Sequence, residues 1–226
     1  MSDTSPVITL ARTESSLVED WGVIDYEEAL ERQKHYVAQR KAGEREDTLA
    51  LLEHPAVFTI GARTGAERHV LWDQTRRAQE AVDLVKSNRG GDVTYHGPGQ
   101  IVGYVIADVQ QSRDLHRVLR GVEDYVIRSI AHYGLAGTRR PGKTGIWLGE
   151  RKIAAIGLAS SKWITYHGFS LNLDPNLHHF EGIVPCGITD GTVTSMAVEM
   201  DGESPDPVRV KQILSEGFES LLSEIR

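Results

Sequence analysis

The chain has a single cysteine, Cys186, among 226 residues. One cysteine closes no internal disulfide and supplies no Cys-x-x-Cys half-site, which excludes a disulfide scaffold and a structural zinc finger. The adjacent pair His178 and His179 lacks ligand spacing as well, so no metal is expected. No 18 consecutive residues are apolar, and MSDTSPVITLARTESS at the start has no basic stretch leading into an apolar one. Neither a membrane-spanning helix nor a secretory signal is expected, and the expected location is cytoplasmic. Positive charge is not in excess: 25 Lys and Arg stand against 32 Asp and Glu, a formal charge of −7. That balance weighs against a general nucleic-acid binder. Repeats of fixed period and low-complexity tracts are missing too, which removes solenoids and long linkers.

What is present is an ordinary globular composition, 40% hydrophobic and 25% charged, enough to bury a core without staples. A polar extension over residues 1–20 and one domain over 21–226 are expected. Asp25 and Glu28 have capping-box spacing ahead of a helix running to about Gly43. TLALLEHPAVFTIG reads as two strands broken at His54-Pro55, which makes His54 a turn residue. AVDLVKS follows as a strand. Leu115, Val118, Leu119, Val122, Val126 and Ile130 recur at helical spacing between Asp114 and Gly134. GIWLGERKIAAIGLA reads as a hairpin turning at Gly149-Glu150, and WITYHGFSLNLD as a further strand. A closing helix starts near Pro207, with Asp206 as its cap and Val210, Ile213, Leu214, Phe218, Leu221 and Leu222 on its buried stripe. Strands mixed with three substantial helices predict an α+β fold, a mixed β-sheet with helices packed mainly on one face.

Two places stand apart from this scaffold. RGGDVTYHGPGQIVGYVIADV, Arg89 to Val109, sets five glycines among strand-forming residues, a pattern that lets a ligand approach the backbone. It is neither a P-loop nor a dinucleotide fingerprint, because no Lys-Ser/Thr follows the glycines and the spacing differs. The second place runs from Lys143 to Ile188. It holds Lys152 at the head of a small-residue run and Cys186 on a Pro-Cys-Gly turn. A lone cysteine is more often a buried hydrophobe than a nucleophile, but a Pro-Cys-Gly turn exposes the thiol near backbone amides. A neighbouring ammonium would lower its pKa from about 8.5.

Such a pair supports acyl transfer in two halves. Cys186 thiolate attacks a thioester, and Lys152 ammonium protonates the departing thiol. The acylated cysteine is uncharged, so Lys152 loses the anion that held its proton and becomes a base for an attacking amine. No metal or nucleotide is required, and no cofactor is expected.

RGGDVTYHGPGQ, GKTGIW with RKIAAIG, TYHGFSLNL and FEGIVPCGI resemble, in this order, the signatures of the lipoyl(octanoyl) transferases. The resemblance spans roughly residues 20 to 222. It implies the fold shared with biotin and lipoate protein ligases, and an octanoyltransferase in protein lipoylation and lipoate biosynthesis. The implied donor is octanoyl-acyl carrier protein. The implied acceptors are lipoyl domains of 2-oxoacid dehydrogenase acyltransferase subunits and the glycine cleavage H protein. By motif position Cys186 carries the acyl thioester and Lys152 tunes its pKa. Arg89, Gly90, Gly91, Asp92, Val93, Thr94, Tyr95, His96, Ala155, Ile156, Gly157, Gly168, Phe169 and Ser170 would line the substrate site, with His167 in support.

Two other readings stay open. An ATP-dependent lipoate or biotin ligase on the same fold would activate a free acid as an adenylate and need no cysteine. A non-catalytic module that binds carrier proteins would use only the basic cluster of Arg139, Arg140, Lys143 and Arg151, whose alternative is a solvated loop.

Overall fold

In the computed structural model, which describes residues 6–184 and 191–226, the chain opens with β1 (Ile8–Arg12) and β2 (Ser16–Val23). Next come α1 (Tyr26–Ala42), β3 (Asp47–Glu53), β4 (Val57–Ile60) and a short α2 (Gln74–Gln79). β5 (Asp83–Lys86), β6 (Val93–His96) and β7 (Gln100–Ile106) precede the long α3 (Leu115–Ala131). Four strands follow: β8 (Thr138–Arg140), β9 (Lys143–Leu148), β10 (Arg151–Ser161) and β11 (Ile164–Asn172). Then come β12 (Thr192–Val193), the single turn α4 (Met196–Glu199) and α5 (Pro207–Ile225).

The strands form a large mixed sheet in the order β1-β2-β3-β7-β11-β10-β9-β8 and a small sheet in the order β5-β4-β6. β2 runs parallel to β3, and β12 parallel to β10; the other pairs of the large sheet are antiparallel.

Alternation along β7 divides the large sheet into two faces. Ile101 and Val105 join the main core with Val118, Val122, Val126 and Ile130 of α3 and Val210, Leu214, Phe218, Leu221 and Leu222 of α5. Val102 and Tyr104 point the other way, into a cluster with Trp21 and with Ala29 of α1. The two long helices of the first face pack closely, since a Cβ at Gly121 would lie 2.5 Å from Ile225 Cγ2. Each fully buried Leu or Phe there contributes roughly 1.5–3 kcal/mol.

The expected α+β class, mixed sheet and three main helices are found, with α3 and α5 on one face and α1 on the other. Two local expectations need correction. Within the supposed polar extension, β1 and the first part of β2 are integral to the large sheet, with Leu17 and Val18 buried. Buried Glu19 is tolerated because it accepts from Arg45, from Trp21 Nε1 at 2.9 Å and from Tyr36 at 2.9 Å. The capping box does not form either: Asp25 makes no side-chain cap, and Glu28 pairs instead with Arg32 at 3.0 Å.

Candidate active site

Lys152 sits where the large sheet forks. β10 pairs with β11 from Ala154 to Ser161, but at Arg151 and Lys152 the place of β11 is taken by β12, with Lys152 opposite Val193. On its other side Lys152 lies opposite Trp147 of β9, and the register slips before Ala154 pairs with Ile146. This bulge matters to the direction of the lysine. Regular alternation would put Lys152 and Ala155 on opposite faces. The extra residue sends both Ile153 and Ala154 into the main core, so Lys152 and Ala155 line one hollow on the face away from α3 and α5.

Lys152 is only 5% exposed. Room for its side chain comes from Gly145, with φ at +119°, where a Cβ would lie 2.5 Å from Lys152 Cε and 2.5 Å from the Ala154 carbonyl oxygen. Its Nζ lies 5.6 Å from the centre of the Trp147 ring, whose face attracts a cation. Thr94, Gln100, Ser170, Asn172, Phe180 and Val193 complete this hollow, and Ala154 reaches its edge.

An adjoining hollow shares Thr94, Ala155 and Ser170 with the first. Arg89, 8% exposed, forms part of its wall and is tied down by bonds from Nη2 to the Thr59 carbonyl at 2.7 Å and from Nη1 to the Gly90 carbonyl at 3.2 Å. Gly90 N–H in turn donates to Leu158 at 2.9 Å, and a Cβ at Gly157 would lie 2.7 Å from the Gly90 oxygen. The glycines therefore clamp the Arg89 turn onto β10. Gly168 is equally constrained, since a Cβ there would lie 2.0 Å from the Gly103 oxygen.

Histidines gather on this face. His96 lines the second hollow, stacked on Tyr26 at 6.0 Å between ring centres and edge-to-face with His54 at 5.6 Å. Burial and the nearby charges of His54 and Arg89 hold His96 well below the usual imidazole range. His167 has φ at +59°, which turns its ring to the hollow. Burial, with the Arg89 charge behind it, pushes its pKa down to about 3. His54 is fully buried between Ile24 O at 2.6 Å and Tyr104 Oη at 2.7 Å, and desolvation lowers it to about 4. It occupies the β3–β4 connection, as the sequence suggests, yet as a core residue and not as a surface turn.

The structure brings together Arg89, Thr94, His96, Ala155, Ile156, Gly157, His167, Gly168, Phe169 and Ser170 with Lys152 across the two hollows. Other expected wall residues face elsewhere. Val93 and Tyr95 alternate away from Thr94 and His96 into a separate cluster with Phe58. Asp92 is buried in pairs with Arg63 at 3.1 Å and His69 at 2.7 Å. Gly90 and Gly91 shape the Arg89 turn, with φ at +92° at Gly91. Phe169, although at the edge of the hollow, packs chiefly on Gly103 and Tyr125 in the main core. Tyr26, Gln100, Tyr104, Asn172, Phe180 and Val193 were not anticipated; Gln100, Asn172 and Phe180 lie inside the quoted motifs and Tyr104 inside the glycine-rich stretch, whereas Tyr26 and Val193 carry no signal for the site. Cys186 lies outside the described residues.

The basic cluster is substantially committed within the chain. Arg139 pairs with Glu123 at 2.8 Å and with Asp124 at 2.5 Å, and Arg151 pairs with Glu199 at 2.6 Å. Arg140 lies over the Trp147 ring at 4.9 Å, and Lys143 at 6.0 Å. Among the described residues, no group of His, Cys, Asp and Glu could hold a metal ion, and no helix is long and apolar enough to cross a membrane.

Comparison with known proteins gives this geometry its context. A family model described as the lipoyl protein ligase A/B catalytic domain matches residues 25–219. An octanoyltransferase from Solibacter usitatus is 48% identical over 177 residues, which cover 78% of this chain and 80% of that protein. A crystal structure of lipoate-protein ligase A bound with ATP has a TM-score of 0.73 at 18% identity, covering 94% of this chain and 87% of that one. The apo structure of biotin protein ligase from Aquifex aeolicus has a TM-score of 0.52 at 11% identity, covering 93% and 70%. These two structural likenesses establish a common fold.

Proposed function

The chain belongs to the lipoyl protein ligase A/B catalytic-domain family, among its octanoyltransferases, and on that premise we propose that it transfers an octanoyl group from octanoyl-acyl carrier protein, through a thioester on Cys186, to the acceptor lysine of lipoyl domains. The observation that carries the reading is Lys152, an amine sunk at the fork of the sheet beside a hollow with small walls at Ala155, Gly157 and Gly168. The described residues on either side of 185–190 reach the same hollow. Phe180 and Val193 both line it, and Val193 is the strand partner of Lys152. Val184 N–H is fixed to the His69 carbonyl at 2.8 Å.

In the first half-reaction the Cys186 thiolate adds to the carbonyl carbon of the donor thioester. The tetrahedral adduct collapses with cleavage of the carrier's carbon–sulfur bond, and the Lys152 ammonium gives its proton to the departing thiolate. Acyl-Cys186 is neutral, so the electrostatic support for the ammonium is gone. Lys152, now an amine, takes a proton from the acceptor nitrogen as that nitrogen attacks. Collapse then expels Cys186 thiolate and leaves an amide, restoring the starting ion pair. Conversion of thioester to amide supplies the driving force.

The test combines purified protein, octanoyl-acyl carrier protein and an apo lipoyl domain without ATP, and weighs all three by mass spectrometry. The octanoyl mass should move to the lipoyl domain, with a transient adduct on the enzyme that Cys186→Ala abolishes. Transfer that requires ATP and free octanoate would instead identify an adenylating ligase, and an adduct surviving in Cys186→Ala would place the nucleophile elsewhere.

A further inference from the structure

Two buried amides connect the histidine wall of the hollow to the strand of Lys152. Asn172 is the last residue of β11, and Thr194 follows β12, so the Asn172 side chain spans the fork of the sheet. Its Nδ2 donates to the Thr194 carbonyl at 2.8 Å. A carbonyl can only accept, which fixes the amide orientation and turns Asn172 Oδ1 toward Gln100, whose Nε2 donates to it at 2.8 Å. Gln100 Nε2 also donates to the Tyr95 carbonyl at 3.2 Å. The other end of the Gln100 amide, Oε1, therefore faces His96 Nδ1 at 2.7 Å. An amide oxygen accepts, so Nδ1 must carry the proton, and a neutral imidazole then has a bare Nε2.

The chain is polarised in one direction and shielded from water. Gln100 and Thr194 are each 1% exposed, Asn172 is 4% and His96 is 6% exposed. Its far end is anchored at the lysine strand, because Thr194 N–H donates to the Lys152 carbonyl at 2.9 Å. His96 Nε2 makes no hydrogen bond to a described residue, and the ring lines the hollow. The neighbouring His167 has no such anchor: its Nε2 lies 2.9 Å from the Asn88 amide, whose other end lies 2.8 Å from Tyr166 Oη, a hydroxyl that both donates and accepts.

We propose that Gln100 and Asn172 are positioning residues that lock His96 as the Nδ1–H tautomer, so that its Nε2 presents only a hydrogen-bond acceptor to the hollow and orients the N–H of the incoming amine. This assignment excludes His96 as a donor to the tetrahedral oxyanion. An amine whose N–H points at Nε2 has its lone pair held away from the imidazole and available to the acyl carbon. The amine step rests on the acyl transfer proposed above; the tautomer does not.

The tautomer is read by two-bond proton–nitrogen correlation NMR on the full-length protein labelled with ¹⁵N. His96 should carry its proton on Nδ1. Gln100→Leu should leave His96 as a mixture of tautomers. In single-turnover assays it should slow transfer from preformed acyl-enzyme to the lipoyl domain by about 10²-fold, while acylation by the carrier changes by no more than a few-fold. Gln100→Glu keeps an oxygen against Nδ1 but sets a second one against Asn172 Oδ1 and the Tyr95 carbonyl, so it should hold the Nδ1 proton without restoring transfer in full. Should Gln100→Leu fail to fold, Asn172→Ala removes the shorter of the two bonds that orient the Gln100 amide and should shift the tautomer and slow the amine step in the same direction, by less. A proton on His96 Nε2 in the unaltered protein overturns the proposal whether or not octanoyl transfer is observed, and so does equal slowing of both half-reactions.

Discussion

The two faces of the large sheet are buried to a similar degree by different means. Beneath α3 and α5 the contacts are aliphatic and aromatic, and stability follows from area removed from water. On the opposite face the buried set includes Arg89, His54, His96, Gln100, Lys152, His167, Ser170 and Asn172. Each such group costs free energy unless its hydrogen bonds are directed. One face therefore holds the molecule together, and the other holds a few polar atoms in fixed directions. The comparison is broken most severely by a core truncation. Phe218→Ala should cost about 3–5 kcal/mol in urea unfolding, with kcat/KM of the remaining folded enzyme nearly unchanged. A large loss of kcat/KM in that variant would mean that the faces are not separable.

The converse change is Gly145→Ala. Its Cβ would meet Lys152 Cε and the Ala154 carbonyl oxygen, each at 2.5 Å, on a backbone with φ at +119°. The lysine must leave its seat and the backbone must shift. Octanoyl transfer should fall by about 10²-fold or more, as expected for a reacting group displaced by an ångström, with a smaller loss of stability of about 1–3 kcal/mol. Transfer assays set beside unfolding curves check the ratio. If stability falls while transfer is kept, Gly145 is not what seats the lysine.

The difference between the faces also explains what could be read from the sequence. The stripe Val118, Val122, Val126 and Ile130 recurs at helical spacing because one side of α3 meets one apolar surface, and the α5 stripe is legible for the same reason. Polar burial has no such period. Glu19 looks like a solvated charge until Arg45, 26 positions away, is brought against it, so β2 was hidden in a polar extension. The motifs located the site but not its facing. Alternation on β6 gives Thr94 and His96 to the hollow and withholds Val93 and Tyr95. The bulge after Lys152 and the positive φ of His167 are decided by tertiary packing. The assignment of acyl transfer to Cys186 and Lys152 came from the motif resemblance and from charge reasoning.

Between the faces, at the rim, lies Glu123, which is fully buried and accepts from Arg120, from Arg139 at 2.8 Å and from Gly145 N–H at 3.1 Å. Arg139 thus shares the Glu123 carboxylate with Gly145, the β9 residue that makes room for Lys152, and its charge is not simply offered to an acidic carrier. Arg139→Glu should lower stability by about 2–3 kcal/mol through the loss of a charged hydrogen bond at a buried carboxylate, at high salt as well as low. A variant of full stability whose only defect is salt-sensitive carrier affinity would return Arg139 to the docking role.

Acid separates the faces with no change in the core. His54 has a folded pKa of about 4 against an ordinary 6.5, because burial disfavours its cation. A histidine depressed in the folded state stabilises fully above pH 6.5, and that contribution is lost as pH falls toward 4, because the unfolded chain takes the proton first. At pH 5 the loss from His54 alone is about 2 kcal/mol. His167, at about 3, and His96, also depressed, act in the same direction. Unfolding free energies at pH 7 and pH 5 should differ by several kcal/mol in the unaltered protein, and by about 2 kcal/mol less in His54→Gln. Phe218→Ala should show the unaltered protein's full difference, since no titrating group is involved. If the pH 7 to pH 5 difference is the same in His54→Gln as in the unaltered protein, His54 is not held neutral by its burial against Ile24 and Tyr104, and the polar face is wetter than its hydrogen bonds imply.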